Sequence, residues 1–197
     1  MASRPSSPRS SPSRRLFWGI ALAGELQHQL QAWLAQATDR LPLARWVAPE
    51  NIHLTLAFLG ERPAQEGDGI LASGRRLARE HVAFDLHSAD LGAFPAWGRG
   101  RVLWAGVAPE PRLDRLAASL QEAMRGFGCR PDEGPWRPHL TLARLRSPVR
   151  MPDLPALAPL RIPVHEVHLF RSDPGAGGST YRSLGAAALS PSRPPGP

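Results

Sequence analysis

His53-Leu54-Thr55-Leu56-Ala57 occurs twice in this chain, the second time as His139-Leu140-Thr141-Leu142-Ala143. Its recurrence decides the architecture, because self-similarity within one chain is the mark of a repeated structural unit. Each copy follows a helical segment and a short linker, and close to half of the body separates them. The chain therefore reads as two related lobes. Side chains alternate across a strand, so positions i and i+2 share a face. His53 and Thr55 point one way, and Leu54, Leu56 and Phe58 the other. His139 and Thr141 part from Leu140 and Leu142 in the same manner. Each strand buries its leucines under a helix and presents a His–Thr pair. If the lobes meet about a pseudo-twofold axis, the two pairs face each other across a cleft.

Two imidazoles across a cleft suit acid–base chemistry. An unperturbed pKa of about 6.5 lets one be neutral while the other is protonated. Threonine hydroxyls can donate to anionic phosphate oxygens. No carboxylate pair stands near either motif, so neither a metal centre nor a cofactor is expected. One His-x-Thr in a strand is most often structural, but two copies with the same polarity point to a site.

Working outward, Arg15–Leu22 reads as a first strand and Gly24–Ala37 as an amphipathic helix with Leu26, Leu30, Trp33 and Leu34 on one stripe. Further strands are expected at Arg45–Val47, His53–Leu59, Val82–Leu91, Arg101–Val107, Leu140–Leu145, Ile162–Phe170 and Thr180–Ala187. Helices are expected over 69–81 and 111–126, the second with Leu113, Leu116, Leu120 and Met124 on one face. Gly-rich 174–178 reads as a loop. The pattern is α+β: two pseudo-symmetric lobes whose antiparallel sheets line a central cleft, with helices outside.

The 197 residues carry 24 basic side chains, every one an arginine, against 17 acids. The absence of lysine excludes a P-loop, a Schiff base and a nucleotidyl-lysine intermediate. Proline (22) and glycine (18) are too abundant for a long helical bundle. The apolar fraction of 42% is enough for a core. Residues 1–13 and 190–197 are rich in Ser, Pro and Arg and are expected to be disordered tails flanking one bilobal domain over 14–189. Much of the positive charge lies in the first tail and its edge (Arg4, Arg9, Arg14, Arg15), so the body is only mildly basic. Arg14-Arg15-Leu16-Phe17 also looks like a twin-arginine export signal, but its short apolar run flows straight into the amphipathic helix, which favours a first strand. No run of about 18 apolar residues exists, so no membrane span is expected. A single cysteine, Cys129, suits a reducing compartment and reads as an inert thiol. His165-Glu166-Val167-His168 has i, i+3 spacing, which does not fit the zinc helix motif.

The paired motifs and their flanks resemble the 2H phosphoesterase superfamily, and more closely the bacterial RNA 2′,3′-cyclic phosphodiesterases, also called 2′–5′ RNA ligases. The resemblance spans about residues 14–187 and rests on Asn51–Gly60 and Arg137–Arg144, with Arg15-Leu16-Phe17, Arg101–Trp104, Leu169–Ser172 and Tyr181 as further landmarks. It implies hydrolysis of RNA or nucleoside 2′,3′-cyclic phosphates to 2′-phosphates without a metal, and ATP-independent reverse 2′–5′ ligation. It makes His53, Thr55, His139 and Thr141 the catalytic set. His139 is assigned as base and His53 as acid, with the reverse assignment open. Arg144 is expected at the phosphate, although strict alternation places it on the leucine face. Phe17, Trp136 and Tyr181 are candidates to stack on the base. The implied partners are RNA with 2′,3′-cyclic phosphate ends or cyclic nucleotides. A cytoplasmic monomer is expected, with no membrane and no obligate protein partner. The alternative from another class is a non-catalytic RNA- or nucleotide-binding protein using the same cleft, and the intact histidines favour the enzyme.

Overall fold

The computed structural model describes residues 13–130, 136–175 and 178–191. Its strands are β1 (Ser13–Ala21), β2 (Arg45–Trp46), β3 (His53–Pro63), β4 (Phe84–Phe94), β5 (Gly100–Val107), β6 (His139–Val149), β7 (Arg161–Val164), β8 (Glu166–Gly175) and β9 (Gly178–Ala188). The helices are α1 (Glu25–Ala37), α2 (Gly67–Ala78) and α3 (Pro111–Arg125).

The two lobes share one curled antiparallel sheet, in the order β7-β4-β5-β6-β3-β1-β8-β9, with β2 added beside β6. The order divides into two sets of four strands, with the motif strands β6 and β3 innermost. They join through a single register pair, Leu54 with Leu140. These are the second residues of the two motifs, so the join is the pseudo-twofold contact expected from the repeat.

The helices cover the convex side through the stripes that their sequences carry. Leu113, Leu116, Leu120 and Met124 of α3 are buried, as are Leu30, Trp33 and Leu34 of α1. Each such side chain contributes about 1.5–3 kcal/mol of burial. Helix α2 lies directly on β1: a Cβ on Gly74 would fall 2.2 Å from the Trp18 ring, so only glycine permits this approach. The leucines of β3 and β6 (Leu54, Leu56, Leu140, Leu142) are at most 1% exposed and face this core.

Several local expectations need correction. Ile162–Phe170 is not one strand. It breaks at His165 into β7, which pairs with β4, and β8, which pairs with β1. Residues 174–178 are mostly ladder rather than loop, because Gly175 pairs with Gly178, while 176–177 lie outside the described residues. Ser13 and Ser190, assigned to the tails by composition, join the fold: Ser13 Oγ donates to Glu61 at 3.0 Å, and Ser190 Oγ to the Arg79 carbonyl at 2.6 Å. The rest of both expected tails lies outside the described residues, apart from Pro191. The Arg15–Leu22 run, apart from Leu22, lies in β1, with ladder partners on both sides over Arg15–Gly19. Among the described residues, no helix is long and apolar enough to cross a membrane.

Candidate active site

Carrying the Leu54–Leu140 register one residue in each direction sets His53 beside Thr141 and Thr55 beside His139. Beyond this contact β3 and β6 splay apart, and the space between them is a cleft of about 650 Å³ into which all four side chains open. The splay frees backbone acceptors on both strands. On β6, the Leu142 carbonyl accepts from the Val47 amide at 2.8 Å. On β3, the Thr55 carbonyl accepts from Trp136 Nε1 at 3.3 Å and the Leu56 carbonyl from Gln121 Nε2 at 2.9 Å. A short strand closes one half, and two side chains close the other.

Alternation fails at the same place in both motifs. Between β1 and β3 the register jumps from Thr55 to Ala57, and between β5 and β6 from Thr141 to Ala143. Leu56 and Ala57 are therefore both buried, as are Leu142 and Ala143. A bulge of this kind reverses the alternation of the side chains that follow it. Phe58 and Arg144, expected on the leucine face, turn instead into the cleft. Phe58 is 48% exposed, unusual for a large apolar ring. The two positions are equivalent by symmetry but hold different chemistry.

Each imidazole is tethered by the carbonyl two residues before it. His53 Nδ1 lies 2.8 Å from the Asn51 oxygen, and His139 Nδ1 lies 2.7 Å from the Arg137 oxygen. A carbonyl only accepts, so each Nδ1 carries its hydrogen and donates. That leaves Nε2 of both rings to accept or deliver a proton. Aromatic rings set the orientations. His53 is enclosed by Phe17 (centroids 4.7 Å), Tyr181 (4.6 Å, edge-on) and Phe170 (5.9 Å). His139 meets Phe94 edge-on at 5.1 Å and Trp104 at 6.2 Å. The halves differ at one register position. Gly19 faces Thr55 where Trp104 faces Thr141, so glycine leaves space for Phe17 behind His53 while tryptophan itself backs His139.

Burial lowers the pKa of both histidines. For His53, desolvation is the largest cause, and the positive charges of Arg144 and His139 add to it against the Asn51 hydrogen bond. For His139, desolvation again leads, with Arg144 adding and the Arg137 carbonyl opposing. Arg15, Arg130, Arg137 and Arg144 line the cleft, and no Asp or Glu does so among the described residues. The arrangement can hold an anion between two imidazoles and two hydroxyls, with guanidinium groups around it.

The remaining candidates divide. Tyr181 lines the cleft, and its backbone amide is tied to Asn51 Oδ1 at 3.4 Å. Trp136 also lines it, with its indole N–H committed to β3. Phe17 also lines the cleft, but it is 2% exposed and stacked on Phe170 at 5.1 Å, and most of its ring backs His53. Cys129 is 8% exposed, and burial pushes its thiol pKa up. Nδ1 and Nε2 of His168 are taken by Ser183 and Glu166, each at 3.1 Å, and His165 is exposed at the β7–β8 break. Asp85 pairs with Arg161 at 2.7 Å, away from the cleft lining. Sequence reasoning missed Gln121 and Phe94, which carry no local signal because they arrive from distant elements. It misplaced Phe58, whose signal is the repeat itself: a bulge in one copy is expected in the other.

A model of the 2′-5′ RNA ligase superfamily matches residues 24–176. An RNA 2′,3′-cyclic phosphodiesterase of Thermus thermophilus is 38% identical over 183 residues, covering 86% of this chain and 87% of that protein. An Escherichia coli protein of the same name is 37% identical over 136 residues, covering 68% and 73%. Among solved structures, the Thermus thermophilus protein TT0787 superposes with a TM-score of 0.79 at 33% identity, covering 91% of this chain and all of that one. Escherichia coli LigT complexed with 3′-AMP gives a TM-score of 0.72 at 32% identity, covering 90% and 99%.

Proposed function

The chain belongs to the 2′-5′ RNA ligase superfamily, and we propose that it is an enzyme that hydrolyses RNA or nucleoside 2′,3′-cyclic phosphates to 2′-phosphates. The observation that carries this reading is the meeting of two His-x-Thr pairs through Leu54 and Leu140 in a cleft lined by arginines and no acid among the described residues. The relatives named RNA 2′,3′-cyclic phosphodiesterase support it.

The reaction needs a water in line with the departing O3′, a base to take its proton and an acid to protonate O3′. Neutral His139, its Nδ1–H held by the Arg137 carbonyl, accepts the water proton at Nε2. Protonated His53, held likewise by Asn51, delivers the Nε2 proton to O3′ as the P–O3′ bond breaks. The products are a 2′-phosphomonoester and a free 3′-hydroxyl, and the two rings exchange their protonation states. Thr55 and Thr141 donate to the non-bridging oxygens, and Arg144 balances the charge that develops there. Ligation puts a 5′-hydroxyl in place of the water: His139 takes its proton, the 5′ oxygen bonds to phosphorus as the P–O3′ bond breaks, and His53 protonates O3′, leaving a 2′–5′ phosphodiester without ATP. No metal is required in this scheme. Hard divalent cations favour carboxylate oxygens, which the described lining lacks. The single buried cysteine supports a reading of the protein as cytoplasmic, and the presence of both motifs in one chain supports a monomer.

Incubation with 2′,3′-cyclic AMP in excess EDTA tests the reading. We expect 2′-AMP from the wild type, and a loss in kcat/KM of about 10²–10⁴-fold in His53→Ala and in His139→Ala. A wild type that binds the nucleotide without turnover, or histidine variants with unchanged rates, would refute it.

A further inference from the structure

Beyond the arginines that line the cleft stands a further guanidinium that the mechanism above does not use, that of Arg45. The two-residue strand β2 sets Arg45 directly opposite Arg144 in antiparallel register. Directly opposed residues share a face of the ladder, so Arg45 projects on the side from which Arg144 enters the cleft. Like charges opposed in this way destabilise a sheet. The arginine–carboxylate pairs among the described residues are made by Arg62, Arg112, Arg125, Arg161 and Arg171, and neither Arg45 nor Arg144 has one.

The opposite lobe comes up to the same side chain. A methyl placed on Gly178, at the tip of the β8–β9 hairpin, would lie 3.9 Å from both Nε and Nη1 of Arg45. The next residue, Ser179, lines the cleft. Arg45 therefore stands at the mouth, between the arginine of the second motif and the hairpin tip of the first lobe.

A cross-strand pair of guanidinium groups without carboxylates fits phosphate on both members. Arg144 serves the reacting phosphate, so the anion left for Arg45 is a neighbouring one. In an RNA ending in a 2′,3′-cyclic phosphate, every other phosphate lies on the 5′ side of the terminal nucleoside. A cyclic mononucleotide has none. We propose that Arg45 binds the phosphodiester 5′ to the terminal nucleoside, so that the cleft selects RNA chain ends over free cyclic mononucleotides. This inference rests on the cyclic-phosphate hydrolysis proposed above.

The test compares kcat/KM for adenosine 2′,3′-cyclic phosphate and for the dinucleotide ApA ending in a 2′,3′-cyclic phosphate, in the wild type and in Arg45→Gln. We expect the wild type to prefer the dinucleotide and Arg45→Gln to lower that preference at least fivefold. We also expect the salt dependence of the dinucleotide reaction to become shallower by about 0.7 in log–log slope, the contribution of one single-strand phosphate contact. A wild type without preference, or a substitution that leaves the ratio of the two substrates unchanged, would overturn the subsite while leaving the hydrolysis intact. A wild type inert on both substrates would overturn the hydrolysis, and the subsite with it.

Discussion

Gly19→Ala is a one-carbon perturbation whose sign separates two views of the site. In a strand with room for the methyl group, replacing glycine by alanine stabilises by about 0.4–1 kcal/mol, because the unfolded chain loses freedom. Gly19 has no such room. A Cβ there would sit 2.9 Å from the Leu54 carbonyl oxygen, 3.4 Å from the Phe17 ring and 3.6 Å from His53 Cδ2. The nearest atom is backbone, and it belongs to the residue that joins β3 to β6. Relief must therefore come from moving β3 or tilting Phe17 and His53. Overpacking of this kind costs about 1–3 kcal/mol, which outweighs the entropic gain. At about 2–4 °C per kcal/mol for a chain of this size, the net effect is a Tm lowered by several degrees. The catalytic effect should be larger in proportion, because a misplacement of about 1 Å can cost about 10²-fold in a reaction that depends on alignment. Thermal unfolding and hydrolysis of 2′,3′-cyclic AMP measure the two effects. A Tm raised by a few degrees with undiminished kcat would refute the packing argument and the claim that Phe17 and Gly19 together hold His53.

Two further expectations follow from the structure. Both imidazoles have pKa values lowered from 6.5, chiefly by burial. For the free enzyme, kcat/KM should trace a bell whose maximum lies below about pH 6.5: it falls on the acid side as the base becomes protonated, and on the alkaline side as the acid loses its proton. Because the bound phosphate anion favours protonated imidazole, the bell for kcat should lie at higher pH, and a monotonic profile between pH 5 and 9 would contradict the two-histidine scheme. In Gly74→Ala, the new Cβ would meet the Trp18 ring at 2.2 Å, and about 1–3 kcal/mol of overpacking exceeds the gain of about 1 kcal/mol in helix propensity. We expect a lower Tm with kcat retained in the folded fraction, since α2 lies on the convex side, and an undiminished Tm would show that α2 does not press on β1 as described.

The duplicated His-Leu-Thr-Leu-Ala segment by itself determined the two-part α+β plan, the convergence of two polar pairs and the burial of the leucines. These depend only on strand periodicity and on repetition, which are local properties of a sequence. The helix stripes of α1 and α3 were legible for the same reason. Tertiary structure alone decided which side Arg144 and Phe58 take, because a bulge is set by the partner strand: β1 skips Leu56 and β5 skips Leu142 within the motif, and alternation reverses at the next side chains. It also decided that Ile162–Phe170 splits between two strand partners, since an unbroken apolar run does not specify its neighbours. Gln121 and Phe94 come to the cleft from elements far apart in sequence, Gln121 on a β3 carbonyl that the splay from β6 leaves free and Phe94 through the pairing of β4 with β5. The sequence determined what each motif strand presents, and the sheet decided what surrounds it, because a strand's two faces follow from its own residues while its register, bulges and free carbonyls follow from what lies beside it.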